Sequence, residues 1–332
     1  MSTPKTDSPA EGVIPKTMKE VILKEAQRAN EDGGDSKIEQ LISDLTVYTT
    51  DGLTLSRLEH HLREVWYACI QGATYVPSAG HQQRSIVCCV LAARASGPLQ
   101  YKPPPPVSSG QMTKEGEIVT FSDGRTFFPD LPLFSACLVE EFTGDFCQLG
   151  MNQQINFVTF VGRLLAVGIY DGPALCALSL FKAVLEDSRP LQATSSAAES
   201  ERFLTVDSLI VSLYELIESS GVSFALLSRR KLQATHAAES FSDFPHLADP
   251  GELAMKPGST PPFSSGYSPE RWAFWVQRLR ELEKCGIEDV EGMAGACMGV
   301  MYQAESNTNL FGLLADRAPV LPEYDHCYTI SF

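Results

Sequence analysis

The chain has 332 residues, of which 44% are hydrophobic and 20% charged, so it is long and apolar enough to bury a sizeable core. Its formal net charge of −15 argues against nucleic-acid binding, since that binding draws its affinity from clustered Lys and Arg. The first residues contain no apolar run typical of a signal peptide. The nine cysteines show no CxxC spacing. We therefore expect free thiols and a location in the cytoplasm or nucleus.

The N-terminal third alternates between flexible stretches and helices. Residues 1–16 are rich in Ser, Thr, Pro and Lys and are predicted to be disordered. A short amphipathic helix, a candidate detachable arm, is expected at 17–29. Helices near 37–47, 55–69 and 78–95 follow, and their short connections are typical of an antiparallel bundle.

A proline-rich loop and a candidate β-hairpin interrupt this helical pattern. The loop at 97–117 contains four consecutive prolines, which force an extended course. Residues 118–121 and 126–128 flank Asp123 and Gly124, a pair that favours a type I′ turn. We expect one small hairpin here, lying on the helices because an isolated hairpin is only marginally stable.

Two helices in the middle of the chain, near 153–169 and 173–185, are apolar over most of their circumference. Such helices are buried on all sides, so we predict that they form a hairpin at the structural centre. Arg163, Asp171 and Lys182 break them into apolar runs shorter than the about 20 residues that a membrane span needs. No membrane association is therefore expected.

The remaining segments complete a single helical domain over 17–303. Residues 187–203 read as a Ser/Ala-rich linker, and helices near 206–219 and 222–231 follow it. The stretch 232–267 is too long for a tight connection and is either a surface lid or disordered. The sequence thus predicts an all-α protein, a multi-helix bundle or an array of helix pairs with one small β-hairpin insertion, followed by a C-terminal tail at 304–332.

The clearest helix signals lie between residues 268 and 301. Ser268 is a good N-cap, Pro269 suits the first helical position, and Gly286 suits a left-handed C-cap. Trp272 and Trp275 fall on the apolar face of this helix. A second helix after Gly286 would complete a helical hairpin.

Three glycines, Gly292, Gly295 and Gly299, form one stripe on that second helix. Each glycine costs about 1 kcal/mol relative to alanine in a helix interior, so something must offset the cost. Close approach of another helix is one explanation, and the wall of a ligand cavity is the other. The residues proposed to line such an apolar cavity are Trp272, Trp275, Gly295 and Tyr170.

The run GYSPERWAFWVQRL at 266–279 resembles the closing motif of the fungal family known as domain of unknown function 3632. The stretch 130–134 with the helix after it, and the helix at 206–221, are similar to the same family. The resemblance covers most of the chain from about residue 40 to 303. Its motifs are patterns of apolar and aromatic residues, so it implies no catalytic residues. Long insertions relative to the family are expected near 98–128 and 231–265.

Three carboxylates on a predicted helix are candidate catalytic residues. Glu140, Glu141 and Asp145 form an EExxxD cluster that faintly resembles the magnesium-binding carboxylates of helical prenyl-converting enzymes. The aspartate-rich run and the second metal motif of those enzymes are missing, which favours a solvated helix surface. Glu140 and Glu141 are also candidates for the polar end of the apolar cavity.

His60 and His61 are further catalytic candidates. His60 and Glu64 are four residues apart on a predicted helix and are expected to meet, but there is no HExxH motif and no third ligand nearby. A solvated polar face is the alternative interpretation. The sequence therefore predicts neither a metal site nor a cofactor.

Two classes of function remain. The acidic helical body, flexible arm and long loops favour a protein-interaction or scaffold role with a protein partner. The alternative is a cofactor-free enzyme or a binding protein for a small apolar molecule, in fungal secondary-metabolite biosynthesis.

Overall fold

The computed structural model describes residues 19–22, 24, 55–99, 118–121, 124–126, 129–192, 205–231, 244–255 and 265–315, with side chains up to residue 308. Within these ranges the secondary structure is helical, which confirms the all-α class. A 3₁₀ turn at Phe146–Gln148 and a π-helical turn at Lys182–Glu186 supplement the α-helices. The α-helices are α1 (Leu55–Tyr75), α2 (His81–Ala95), α3 (Phe134–Asp145), α4 (Met151–Ala166), α5 (Pro173–Phe181), α6 (Val206–Arg229), α7 (Pro245–Ala248), α8 (Pro269–Leu282) and α9 (Glu288–Ala315).

Helix α6 is the centre of the packing, with α4 on one side and α9 on another. It approaches α4 most closely at Gly162, where an added Cβ atom would lie 1.9 Å from Ser219 Oγ. The two helices predicted at 206–219 and 222–231 are one kinked helix. Its backbone leaves helical geometry at Ser220 (φ −151°, ψ 15°), whose hydroxyl donates to the Leu216 carbonyl at 2.8 Å.

The predicted central hairpin is formed by α4 and α5, and both helices are buried over most of their surface. Gly172 turns the chain between them with a φ angle of +80°. A Cβ atom there would also lie 2.8 Å from the Ser135 Cα, so α3 packs directly against this turn. The apolar circumference read from the sequence therefore corresponds to burial in the core.

Between described residues, the predicted β-hairpin is represented by an antiparallel bridge of Thr120 with Thr126. The amide of Phe121 donates to the Arg125 carbonyl at 2.9 Å, which closes the turn. Residues 122–123 and 127–128 lie outside the described ranges. A two-stranded ladder therefore stays a prediction.

The glycine stripe on α9 does not mediate close helix packing. An added Cβ atom at Gly292 or Gly299 would meet nothing within 4 Å among the described residues. At Gly295 it would lie 3.3 Å from the Glu283 carboxylate. The interpretation of the stripe as a helix–helix contact is therefore corrected, because two of its glycines face open space.

Helix α9 continues past the predicted domain boundary at residue 303. It runs to Ala315, and both Ala304 and Thr308 are buried. The helical body thus extends into the segment predicted as a tail. The stretches 1–16 and 37–47 lie outside the described residues, as does most of 17–29.

Among the described helices, α6 is long and apolar enough for a membrane span by length and composition. However, 61% of its most apolar stretch is buried inside the protein. This burial is what a core helix shows.

Candidate functional site

A buried ion pair joins the start of α8 to the end of the π-helical turn. Arg271 Nε lies 2.6 Å from Glu186 Oε1, and Nη2 lies 2.9 Å from Oε2, so the pair is bidentate. Neither side chain has any solvent exposure. The predicted N-cap Ser268 is confirmed, because its hydroxyl accepts the Arg271 amide at 3.1 Å. The cap thus places Arg271 at the first turn of α8.

The remaining donors of the Arg271 guanidinium bind the backbone of the preceding loop. Nη1 donates to the carbonyls of Ala248 and Gly266, both at 2.8 Å, and Nη2 also donates to Asp249 at 3.3 Å. The described parts of the stretch predicted as a lid or as disordered, 244–255 and 265–267, are therefore packed onto the core. The arginine supplies the polar partners that this buried backbone needs.

Both oxygens of the Glu186 carboxylate also accept hydrogen bonds from groups other than Arg271. The carboxylate accepts the Gly251 amide at 2.7 Å and the Trp275 indole N–H at 2.6 Å. At Gly251 an added Cβ atom would lie 2.7 Å from the Glu186 Cβ, so only glycine fits this approach. The π turn that ends at Glu186 is closed by the Asp187 amide, which donates to the Lys182 carbonyl. The buried charge is thus fully hydrogen-bonded, the condition under which such a pair is tolerated.

Aromatic rings surround this ion pair. Trp275 stacks on Phe181 with ring centroids 4.3 Å apart and meets Tyr267 edge-on at 6.0 Å. The Tyr267 hydroxyl donates to the Ala174 carbonyl at 2.7 Å, and burial raises the pKa of this phenol. Trp272 lies on the outer side of the cluster, 6.4 Å from Trp275. The aromatic rings therefore lie between the ion pair and a cavity that Trp272 lines.

A half-open cavity of about 330 Å³ lies between the C-terminal end of α6, the exposed face of α8 and the middle of α9. Trp272, which is 7% exposed, forms part of its apolar wall. The cavity is lined by Ala225, Ser228, Arg229, Pro269, Trp272, Ala273, Val276, Arg280, Tyr302 and Glu305.

Polar side chains also line the cavity. Ser228 is buried, and its hydroxyl has no hydrogen-bond partner among the described residues. The Arg280 guanidinium donates to the Tyr302 hydroxyl and lies 5.9 Å from the centroid of that ring. Arg229 and Glu305 complete the polar lining. The arrangement combines an apolar wall with polar groups able to orient a ligand.

The structure does not bring together the four residues proposed from the sequence to line one cavity. Trp272 lines the cavity described above. Trp275 lies fully buried beside it, with its N–H bound to Glu186. Gly295 faces the Glu283 side chain, and Tyr170 lies in the turn between α4 and α5. The aromatic helix was thus the informative part of that hypothesis.

The candidate carboxylates lie on α3 and do not line the cavity, so they do not form its polar end. Glu141 is buried and accepts hydrogen bonds from Lys19 Nζ at 2.6 Å and Gln71 Nε2 at 3.0 Å. Burial raises the pKa of Glu141; the Lys19 ammonium opposes this shift, and Asp145 and Glu140 add to it. Glu140 itself is 53% exposed. The neighbouring carboxylates thus differ sharply in environment.

The candidate histidines form a small polar cluster on α1. His60 Nε2 lies 3.2 Å from Glu64 Oε1, and His61 Nδ1 lies 3.1 Å from Glu64 Oε2. The expected contact between His60 and Glu64 is therefore confirmed. In the described part of the chain, no three His, Cys, Asp or Glu side chains converge as metal ligands would.

The eight cysteines within the described ranges are all free. Cys137 shows the typical environment, since burial raises the pKa of its thiol to about 12. A thiol with so high a pKa is a poor nucleophile. Five of the described cysteines are buried core residues (Cys69, Cys89, Cys137, Cys176 and Cys297), whereas Cys88 and Cys147 are exposed and Cys285 is partly buried.

The described residues form an all-helical fold with a fully buried ion pair and a ligand-sized cavity beside it. The model of the family described as protein of unknown function (DUF3632) matches residues 66–279. The chain belongs to this family, which confirms the resemblance seen in the sequence. The matched region includes both partners of the ion pair and the first three turns of α8.

The chain is also similar to "Oxopyrrolidines biosynthesis cluster protein G" from Penicillium oxalicum. The two are 26% identical over 271 residues, which cover 77% of this chain and 69% of the relative. No solved structure was found to match the chain significantly.

Sequence reasoning missed Ser228, Arg280 and Tyr302 as residues of one site. Arg280 belongs to α8, and Ser228 and Tyr302 belong to helices distant from it in sequence. One signal was present: Trp272, Val276 and Arg280 recur every four residues and therefore share one stripe of α8. That stripe is the α8 wall of the cavity.

The ion pair generates the first prediction. Arg271→Met should lower the free energy of unfolding by about 3–5 kcal/mol, because it leaves the Glu186 carboxylate buried and unpaired. Glu186→Gln alone should also destabilise, since it leaves the guanidinium unpaired. Added to Arg271→Met, however, Glu186→Gln should restore part of the lost stability. Urea unfolding of the natural chain, the two single variants and the double variant measures whether the effect of Glu186→Gln on the free energy of unfolding changes sign. If Glu186→Gln destabilises the natural chain and the Arg271→Met variant equally, the role given to the pair is wrong.

The raised pKa of Glu141 generates a second prediction. In the ordinary carboxyl range the folded protein binds more protons than the unfolded chain, so this group makes stability fall as pH rises through that range to the raised value. Glu141→Gln should remove this component of the pH dependence, whereas its exposed neighbour Glu140→Gln should retain it. Urea unfolding from about pH 4 to 8 tests the difference. Equal pH profiles for the two variants would show that Glu141 is not selectively perturbed.

Proposed function

We propose that this protein binds a small, mainly apolar organic molecule in the cavity between α6, α8 and α9, within secondary-metabolite biosynthesis. The observation that carries the proposal is a half-open cavity of about 330 Å³ that pairs an apolar wall at Trp272 and Val276 with the polar side chains of Arg280 and Tyr302. In the proposal the protein is cytoplasmic and works without a cofactor.

The size and the lining of the cavity both support ligand binding. Small-molecule sites have volumes of roughly 300–1,000 Å³, mostly apolar walls and a few placed polar groups. The polar groups in this lining, Arg280 and Tyr302 among them, lie beside the apolar wall at Trp272 and could orient a ligand. An apolar molecule lying against Trp272 would also bury ring surface that is otherwise in contact with water.

The relative from Penicillium oxalicum supports the biosynthetic context, because its name places it in an oxopyrrolidines biosynthesis cluster. The two proteins share 26% identity, and the aligned region covers most of each chain. The ligand of this chain is proposed from its own cavity, and the context alone is carried over from the relative.

The lining favours binding over covalent catalysis. An activated serine needs a base within hydrogen-bonding distance, and Ser228 has no such partner among the described residues. Composition favoured a scaffold role, which has no need for a cavity of this kind. We therefore rank small-molecule binding above the scaffold role.

The third prediction tests binding with N-phenylnaphthylamine, an uncharged apolar dye whose fluorescence rises in apolar surroundings. The purified chain should bind it saturably with one site. Ala273→Phe places a ring in the exposed rim of the cavity and should weaken binding at least about tenfold by filling the site. Fluorescence titration measures both dissociation constants.

The matched control is Gln303→Phe, which adds the same ring at an exposed position of α9 that does not line the cavity. This variant should bind the dye as the natural chain does. If the natural chain shows no saturable binding, or if both phenylalanine variants bind like it, the cavity is not the ligand site and the scaffold role is favoured instead.

A further inference from the structure

We infer that the ligand of this cavity carries an acidic group, a carboxylate or a comparable oxyanion, and that Arg280 binds it at the cavity mouth. The inference rests on the proposed function and adds the chemical class of the ligand: an organic acid with an apolar body. It is carried by the unused donors of Arg280 and by the charges that line the cavity.

Arg280 has donors to spare. A guanidinium has five N–H groups. Among the described residues, Arg280 donates to the Tyr302 hydroxyl and, at 3.4 Å, to the Gln277 side-chain oxygen. Both acceptors are uncharged, and no carboxylate lies within ion-pairing distance of Arg280 in the described ranges. Three N–H groups of a fixed cation are therefore available to a ligand.

This arginine is also held in place. Its guanidinium lies 5.9 Å from the centroid of the Tyr302 ring and donates to the hydroxyl of the same residue. Contact with the ring and the hydroxyl together restricts the rotation of a side chain that is otherwise exposed. A preorganised guanidinium loses less entropy when it binds an oxyanion.

The charges lining the cavity favour an anion. Among the lining residues that the structure describes, Arg229 and Arg280 are cationic and Glu305 is anionic, a net charge of +1, and Arg229 already interacts with another group. The end of α6 and the start of α8 present opposite helix-dipole charges of roughly half a unit each, which offset one another. Arg280, whose acceptors in the described ranges are uncharged, is therefore the group that favours an anion.

The local sign is opposite to that of the whole chain, whose formal net charge is −15. Charges separated by more than about 8 Å are largely screened at physiological ionic strength, so the distant carboxylates oppose an anionic ligand only weakly. At short range the positive charge in the lining therefore favours an anionic ligand over an uncharged one, although the protein as a whole is acidic. The apolar wall at Trp272 and Val276 would hold the body of the ligand, and Arg280 its acidic group.

The test compares two dyes with the same ring system. N-phenylnaphthylamine is uncharged, and anilinonaphthalenesulfonate adds a sulfonate to the same frame. The natural chain should prefer the sulfonate by roughly tenfold or more, the range expected of a charged hydrogen bond. Arg280→Gln should lower this preference, the ratio of the two dissociation constants, at least about fivefold. Arg280→Lys should retain part of the preference, because it keeps the charge.

The matched control is Arg278→Gln, which removes the same charge from the same helix at a position paired with Glu281 and outside the cavity. Its preference for the sulfonate should equal that of the natural chain. If Arg280→Gln keeps the full preference, or if Arg278→Gln loses as much, acid recognition by Arg280 is wrong although the cavity still binds apolar molecules. If the uncharged dye fails to bind the natural chain at all, the proposed function fails first.

Discussion

The structure depends on the buried ion pair between Glu186 and Arg271. The pair joins residues 85 positions apart and holds the backbone of residues 248–251 on the core. Two charges without solvent exposure are unfavourable unless every donor and acceptor is used, and here backbone amides, carbonyls and the Trp275 indole use them. Removing one partner would therefore leave the other without compensation, together with the backbone groups it binds.

The same interaction fixes the two faces of α8. Arg271, Trp275 and Leu279 recur every four residues and are fully buried on one face. Trp272, Val276 and Arg280 recur one position later and form the wall of the cavity. Since the ion pair prevents α8 from rotating about its axis, it also directs the second stripe towards α6 and α9. A structural interaction in the core thus positions a binding surface that it does not touch.

Sequence reasoning recovered the features set by local chemistry. Ser268 marks the start of α8 because caps act within one turn, and the buried α4–α5 hairpin follows from its apolar circumference. The predicted C-cap at Gly286 is wrong: α8 ends at Leu282 with Glu283 as its C-cap, and Gly286, although its φ is +84°, lies in the turn beyond it. The ion pair was missed because charged residues are normally solvated and nothing local marks Glu186 as a partner of Arg271. The break in helical geometry at Ser220 lies where the sequence predicted one, between residues 219 and 222, whereas the open surface at Gly292 and Gly299 among the described residues depends on which helices lie nearby. The cavity joins three helices distant in sequence, so the stripe on α8 alone was visible.

The central claim is that the cavity beside the ion pair binds an organic acid with an apolar body. A crystal structure of the protein with bound anilinonaphthalenesulfonate tests it most directly. The account predicts the ring system against Trp272 between α6, α8 and α9, with the sulfonate within hydrogen-bonding distance of the Arg280 guanidinium. A dye bound elsewhere on the protein, or bound in the cavity with its sulfonate turned away from Arg280, would contradict the account.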